Sequence, residues 1–125
     1  MQTGTAAARA YTCFNLLGAL EFLGDRQGVQ DLLPVLCATL AKEVPETAHL
    51  LAQGDFTEAA QRLHSLKGFV PVFCFAPMVE ELARVERLCR GGANQEVAAG
   101  YAALVPALQC LGEEAAHYMA QLTTA

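Results

Sequence analysis

Apolar residues recur along this chain at three- and four-residue spacing, and no stretch alternates apolar with polar as a half-buried strand would. The pattern predicts helices throughout. From about Val29 to Gln53, Leu33, Leu36, Leu40, Val44, Thr47 and Leu51 fall on one face, and Pro45 should bend this helix by removing a donor. The most regular period belongs to the C-terminal stretch: Val97, Tyr101, Leu104, Leu108, Leu111, Ala115, Tyr118 and Leu122. Steps alternating between four and three make the seam of a helical bundle.

Punctuation between the periodic segments sets the element order. A short first helix is predicted from about Ala8 to Leu23, after a frayed lead over Met1–Ala8, and Gly24-Asp25 stops it. Gly54 suits the left-handed end of the second helix, while Asp55 caps the third and Glu58 completes a capping box. The third helix runs to about Phe73, and Cys74 to Pro77 reads as a break because Pro77 biases Ala76 away from helical angles. A fourth covers about Met78 to Arg90; Gly91-Gly92 ends it and Asn94 caps the fifth. Short connections between long helices force antiparallel neighbours. The expected fold is all-α: an antiparallel up-down four-helix bundle with a short extra N-terminal helix, in one domain over residues 1–125.

Composition narrows the function. The chain has 125 residues, 54% of them hydrophobic, with much of that fraction alanine, which suits helices. A net charge of −5 argues against nucleic-acid or acidic-membrane binding, which need clustered basic surface. The longest uncharged run, Val97 to Gly112, is too short for a membrane span and carries Gly100 and Pro106, and nothing reads as a secretory leader. The five cysteines (Cys13, Cys37, Cys74, Cys89, Cys110) are scattered with no C-x-x-C pair, so they read as reduced, mostly buried thiols of a cytoplasmic protein.

The chemistry concentrates at His64-Ser65-Leu66-Lys67-Gly68. On the third helix Phe56, Ala59, Leu63, Leu66, Val70 and Phe73 form the core face, and His64 lies about 140° from its middle. The imidazole should be exposed, among Thr57, Ala60, Gln61, Lys67, Gly68 and Pro71. Gly68 costs the helix about 1 kcal/mol relative to alanine, so close approach of another molecule is its natural explanation. A metal site would need further ligands on facing helices; His49 and His117 read as surface or rim residues, and no metal is expected.

These residues carry a resemblance. His64-Ser65-Leu66-Lys67-Gly68, preceded by a Gly-Asp capped helix and followed by a Val-Glu pair and Arg-x-Gly, resembles the histidine phosphotransfer (HPt) domain; Leu17–Asp25 and Leu50–Asp55 also fit its N-terminal pattern. The resemblance implies a helical bundle that relays a phosphoryl group between receiver-domain aspartates in two-component signalling. His64 would be the phosphoacceptor, Lys67 would balance phosphoryl charge, and Gly68 would leave room for the receiver. Ala60, Gln61, Pro71 and Val72 would share the docking face. Glu86, 22 residues after the histidine, would bond the imidazole nitrogen that is not phosphorylated, fixing the tautomer. Its other reading is an i,i+4 pair with Arg90 on a solvated face.

Two departures from the family pattern stand out. Cys74 occupies a position that is usually glycine, and Phe69-Val70-Pro71-Val72-Phe73 replaces a small polar segment. Phe69, Val72 and Phe75 cannot all face the core, so one or two should form an apolar patch beside His64.

What the resemblance implies is a phosphocarrier, not a self-sufficient enzyme, with no cofactor of its own; Mg²⁺ would come from the receiver. A hybrid sensor histidine kinase and a response-regulator receiver would be the partners. Arg62 and Lys67 would place positive charge near His64 to suit a carboxylate-lined receiver pocket. The competing reading is an interaction-only bundle, a degenerate HPt domain in which His64 is idle.

Overall fold

The computed structural model describes residues 11–124. They form α1 (Leu16–Leu23), α2 (Arg26–Ala52), α3 (Phe56–Phe69), α4 (Ala76–Arg90) and α5 (Asn94–Thr124), with a 3-10 turn at Val70–Val72. Among the described residues the nearest thing to a strand is an isolated antiparallel bridge between Phe14 and Cys74. The chain is thus all-α, and none of these helices is long and apolar enough to cross a membrane. Helix α2 packs on α3 and α5, α3 on α4, and α4 on α5, so the four long helices close a ring; α1 rests on α2 and the 3-10 turn.

The core lies inside this ring. Leu33 and Leu36 of α2, Leu63 and Leu66 of α3, Leu82 and Val85 of α4, and Leu108 and Leu111 of α5 are fully buried. The α5 seam follows its period, with Val97 through Ala115 buried and Tyr118 and Leu122 half-buried where the helix runs past the core. Thr47 is fully buried, as its place in the α2 period implies. At the α4–α5 contact a Cβ on Gly100 would meet Val85 Cγ2 at 3.3 Å and Arg84 Nη2 at 3.4 Å, so glycine permits the close approach of the two helices.

Element ends depart from expectation in ways that local chemistry explains. The lead over Met1–Ala8 and the first residues of the expected first helix lie outside the described residues. Helix α1 begins only at Leu16, because Asn15 caps it, its side-chain oxygen accepting from Gly18 N at 2.9 Å. Tyr11–Phe14 instead form a strap over α5. The buried Glu114 carboxylate accepts the backbone N–H groups of Thr12, Cys13 and Phe14 at 3.1, 2.8 and 2.8 Å. Asn15 N donates to Phe73 O at 2.8 Å, tying the strap's other end to the turn after α3. Helix α2 starts earlier than predicted, at Arg26, on an Asp25 cap to Gly28 N at 2.8 Å.

Around α3 and α4, Asp55 accepts from Glu58 N at 3.2 Å, but the capping box is only half made. The Asp55 N–H donates to Leu50 O, and the Glu58 carboxylate turns to Arg62 at 3.5 Å. Helix α3 ends at Phe69, four residues before expected, because Pro71 cannot supply the next helical donor and the chain tightens into the 3-10 turn. Helix α4 begins at Ala76, with Pro77 in its first turn where the missing N–H costs nothing, so the predicted break is shorter than Cys74–Pro77. Asn94 is not a cap but the first residue of α5; Ala93 O accepts the first helical bond from Val97 N at 2.9 Å.

Candidate functional site

His64 stands two turns into α3 with its side chain 64% exposed, and Glu86 on α4 is brought against it with only 6% of its side chain exposed. His64 Nδ1 lies 3.0 Å from Glu86 Oε2. The same oxygen accepts from Arg90 Nε at 2.8 Å, and Lys67 Nζ is 2.9 Å from the other oxygen, Oε1. Both sequence readings of Glu86 therefore hold at once: it faces the imidazole and it pairs with Arg90. It is not on a solvated face, because α3 and α4 cover it.

Electrostatics fix the charge on Glu86. Burial alone would raise the Glu86 pKa. The bonds from Lys67, Arg90 and His64 outweigh burial and bring it down to about 2. An ionised carboxylate only accepts, so the proton it faces sits on Nδ1, and in the neutral ring the lone pair falls to Nε2. A carboxylate at one ring nitrogen of an exposed histidine is the arrangement that fixes the orientation of an imidazole and leaves the other nitrogen to a partner. Lys67, expected to be free to meet incoming negative charge, is committed to Glu86 in this state, though its side chain remains 36% exposed.

Positive charge around His64 is smaller than the sequence suggested. Arg62 lies 3.1 Å from Glu43 Oε1 and 3.5 Å from Glu58 Oε2, so its charge is neutralised by α2 and by its own helix. What remains is the Lys67–Glu86–Arg90 group, with two cations on one carboxylate.

The expected docking residues divide into two sides. Gly68, Pro71 and Val72 line a recess of about 360 Å³ with Lys67, Gly18 and Phe22. A Cβ on Gly68 would meet nothing within 4 Å, so no internal packing demands glycine there. Gln61 lines a second recess of about 390 Å³, with Phe56, Thr57, Arg90 and Asn94. Ala60 lines this recess too, at its floor: it is only 3% exposed, because α4 crosses that turn of α3 and Cys89 Sγ donates to Phe56 O at 3.2 Å.

The apolar patch also differs from expectation. Phe69 packs edge-on against the buried Phe73 with ring centres 5.2 Å apart. Phe75 is exposed but lines a cavity with Cys13 and Met78, apart from the recess that Lys67 and Gly68 line. Only Val72 of the three borders that recess. Its large exposed side chain is Phe22 of α1, 73% exposed, with Leu17 at 68% nearby in sequence. Sequence reasoning missed Phe22 because α1 is connected to α3 only through the fold.

Elsewhere, His49 is exposed and His117 is half-buried with Nδ1 2.8 Å from Tyr11 Oη, a surface and a rim position. Two cysteines are buried, Cys74 and Cys89, whereas Cys13, Cys37 and Cys110 are half-exposed, fewer buried than the sequence implied. Glu46–His49 and Glu114–His117 have helical ligand spacing, but neither pair gathers a third group. Among the described residues three potential metal ligands converge only at Cys13, Cys110 and Glu114, away from His64.

A family model described as the Hpt domain matches residues 31–125. Neither a curated protein nor a solved structure gives a match.

Proposed function

The chain belongs to the Hpt domain family, whose members carry phosphoryl groups on histidine in two-component signalling, and from that premise we propose that it relays a phosphoryl group between receiver aspartates through Nε2 of His64. The observation that carries the reading is the 3.0 Å contact from His64 Nδ1 to a buried, ionised Glu86. That contact places the proton of the neutral ring on Nδ1 and leaves Nε2 to attack. In the forward step Nε2 attacks the phosphorus of a receiver's aspartyl phosphate, the acyl-phosphate O–P bond breaks, and the aspartate leaves as a carboxylate. The ring becomes cationic while Nδ1 keeps its proton, and Glu86 stabilises that charge through the hydrogen bond already in place. Transfer to the next receiver reverses these bonds.

In this reading the protein is a phosphocarrier without turnover of its own. The receiver supplies Mg²⁺ and its acidic ligands, a hybrid kinase supplies the phosphoryl group, and the exchange takes place in the cytoplasm. Gly68, Pro71, Val72 and Phe22 offer one side of the docking face, and Gln61 the other.

The test is direct. Incubation with a phosphorylated receiver should put an acid-labile, base-stable phosphoryl group on the domain. His64→Gln should abolish it, while His49→Gln and His117→Gln retain it. Label that survives His64→Gln sinks the assignment. A receiver that binds the wild-type domain without labelling it identifies the interaction-only bundle.

A further inference from the structure

Far from His64, the strap and α5 bring two cysteines from opposite ends of the chain together. Thr12 Oγ1 lies 3.9 Å from Cys13 Sγ and 3.7 Å from Cys110 Sγ. Each thiol has its sulfur within 4.8 Å of the other and of the Glu114 carboxylate, and both residues are half-exposed. Neither sulfur sits on loose backbone. Cys13 N is held by Glu114 at 2.8 Å, its neighbour Phe14 is buried and bridged to Cys74, and Cys110 is mid-helix in α5.

We propose that Cys13 and Cys110 are a reversible dithiol–disulfide pair that locks the Tyr11–Phe14 strap onto α5 when a peroxide oxidises them. Cys13 thiolate attacks one peroxide oxygen, breaking the O–O bond and giving a sulfenic acid and, after protonation, water. Cys110 sulfur then attacks the Cys13 sulfur, forming the S–S bond and expelling a second water. The two thiols lose two electrons and two protons, and hydrogen peroxide is reduced to two waters. In a reducing compartment the dithiol is the resting state and the disulfide forms only under oxidant challenge.

The order of attack follows from the surroundings. The hydrogen bond that its S–H gives to Cys13, then burial, push the Cys110 thiol up to about 11, so Cys110 is the poorer of the two as first nucleophile toward peroxide. Cys74, the other thiol close to Cys13, is buried and pushed up to about 12, chiefly by burial, and its backbone is committed to the bridge. A metal ion fits less well. Both Glu114 oxygens already accept, from Thr12 N and Oγ1 and from Cys13 N and Phe14 N, so the carboxylate has little left to offer as a third ligand.

The lock acts on a particular element. The strap runs through the Asn15 cap straight into α1, which presents Gly18 and Phe22 to the recess lined by Lys67 and Gly68. Fixing the strap therefore steadies the helix that borders the candidate site.

The whole chain, reduced and then treated with hydrogen peroxide, tests this without reference to phosphotransfer. The expected product is about 2 Da lighter, contains a peptide linking Cys13 to Cys110, and reverts with a dithiol. Its thermal midpoint should rise by about 5–10 °C, since the bond closes a loop of most of the chain. Amide exchange in α1 should slow. Cys13→Ser and Cys110→Ser should each abolish the link and the shift, while Cys37→Ser keeps both. Linkage through Cys74 instead, sulfinic acid at Cys13 without a cross-link, or a cross-link that lowers the midpoint would each overturn the proposal. So would one equivalent of zinc held by the reduced chain and lost in Cys110→Ser.

Discussion

Glu86 has two oxygens and three partners, and that imbalance decides what its removal should do. Lys67 and Arg90 keep it ionised, but His64 depends on it for orientation, because Nδ1 meets no other acceptor among the described residues. Glu86→Ala should slow labelling by a phosphorylated receiver about 10–100-fold, the usual range for losing a group that orients a histidine. Lys67 and Arg90 are 36% and 53% exposed and can turn to water, so the stability loss should stay near about 1 kcal/mol. Arg90→Ala removes only an exposed i,i+4 partner and should change the transfer rate by less than about threefold, since Lys67 still holds the carboxylate. Rates from stopped mixtures of receiver and domain check both; an unchanged rate for Glu86→Ala removes its orienting role. His64 and Glu86 were legible in the sequence because a family pattern spaces them. The pairing of Arg62 with Glu43 was not, because it depends on how α2 lies against α3.

At the scale of elements, two glycines in helices call for opposite explanations. Gly100 is buried between α4 and α5, where a Cβ meets Val85 at 3.3 Å. Gly100→Leu should therefore lower stability by about 1–3 kcal/mol through overpacking, read as a drop in the urea midpoint. Gly68 faces open space, so nothing inside the bundle requires it. Gly68→Gln should raise stability by about 0.5–1 kcal/mol, as expected for an exposed glycine in the last turn of a helix, a conformation that any residue can adopt, and sharply reduce transfer by crowding the approach to His64. Higher stability with lower transfer cannot come from general damage; unaltered transfer would mean the receiver does not dock over this face. The helices themselves were readable from apolar period and from Gly and Asp punctuation. Their ends were not, wherever the competing partner was remote: Glu114 converts an apparent helix start into a strap, and Leu50 O takes the donor a full capping box would use. Pro71 ends α3 in a 3-10 turn closed by Phe73 N donating to Val70 O at 2.8 Å, a local bond that apolar spacing does not reveal.

For the molecule as a whole, two buried carboxylates hold together parts that sequence keeps apart. Glu86 joins α3 to α4 at the candidate site, and Glu114 joins the strap to α5 at the other cluster. Burial opposes ionisation at both. Side-chain cations and His64 overcome it at Glu86, and the Phe14, Cys13 and Thr12 N–H groups overcome it at Glu114, so both titrate below the ordinary carboxylate value of 4.5. The sign follows from linkage: a group whose pKa is lower in the folded chain contributes its full stabilisation above the unfolded value and loses it as pH falls toward the folded one. Stability should thus be flat in this respect above about pH 5 and decline between about pH 4.5 and pH 2, the lower limit being set by Glu86. The two sites should be separable. Glu114→Gln keeps the shape but offers one acceptor oxygen in place of two, so it should lower the urea midpoint at pH 7, speed amide exchange in Tyr11–Phe14 and α1, and leave the transfer rate of His64 within about twofold. Glu86→Gln should do the reverse, slowing transfer while leaving exchange in the strap unchanged. With both replaced, the fall in midpoint between about pH 5 and pH 2.5 should be markedly shallower than in the wild-type chain. An equally steep fall in the double variant would mean that acid acts on other carboxylates, and that neither buried group fastens the fold in the way its contacts imply.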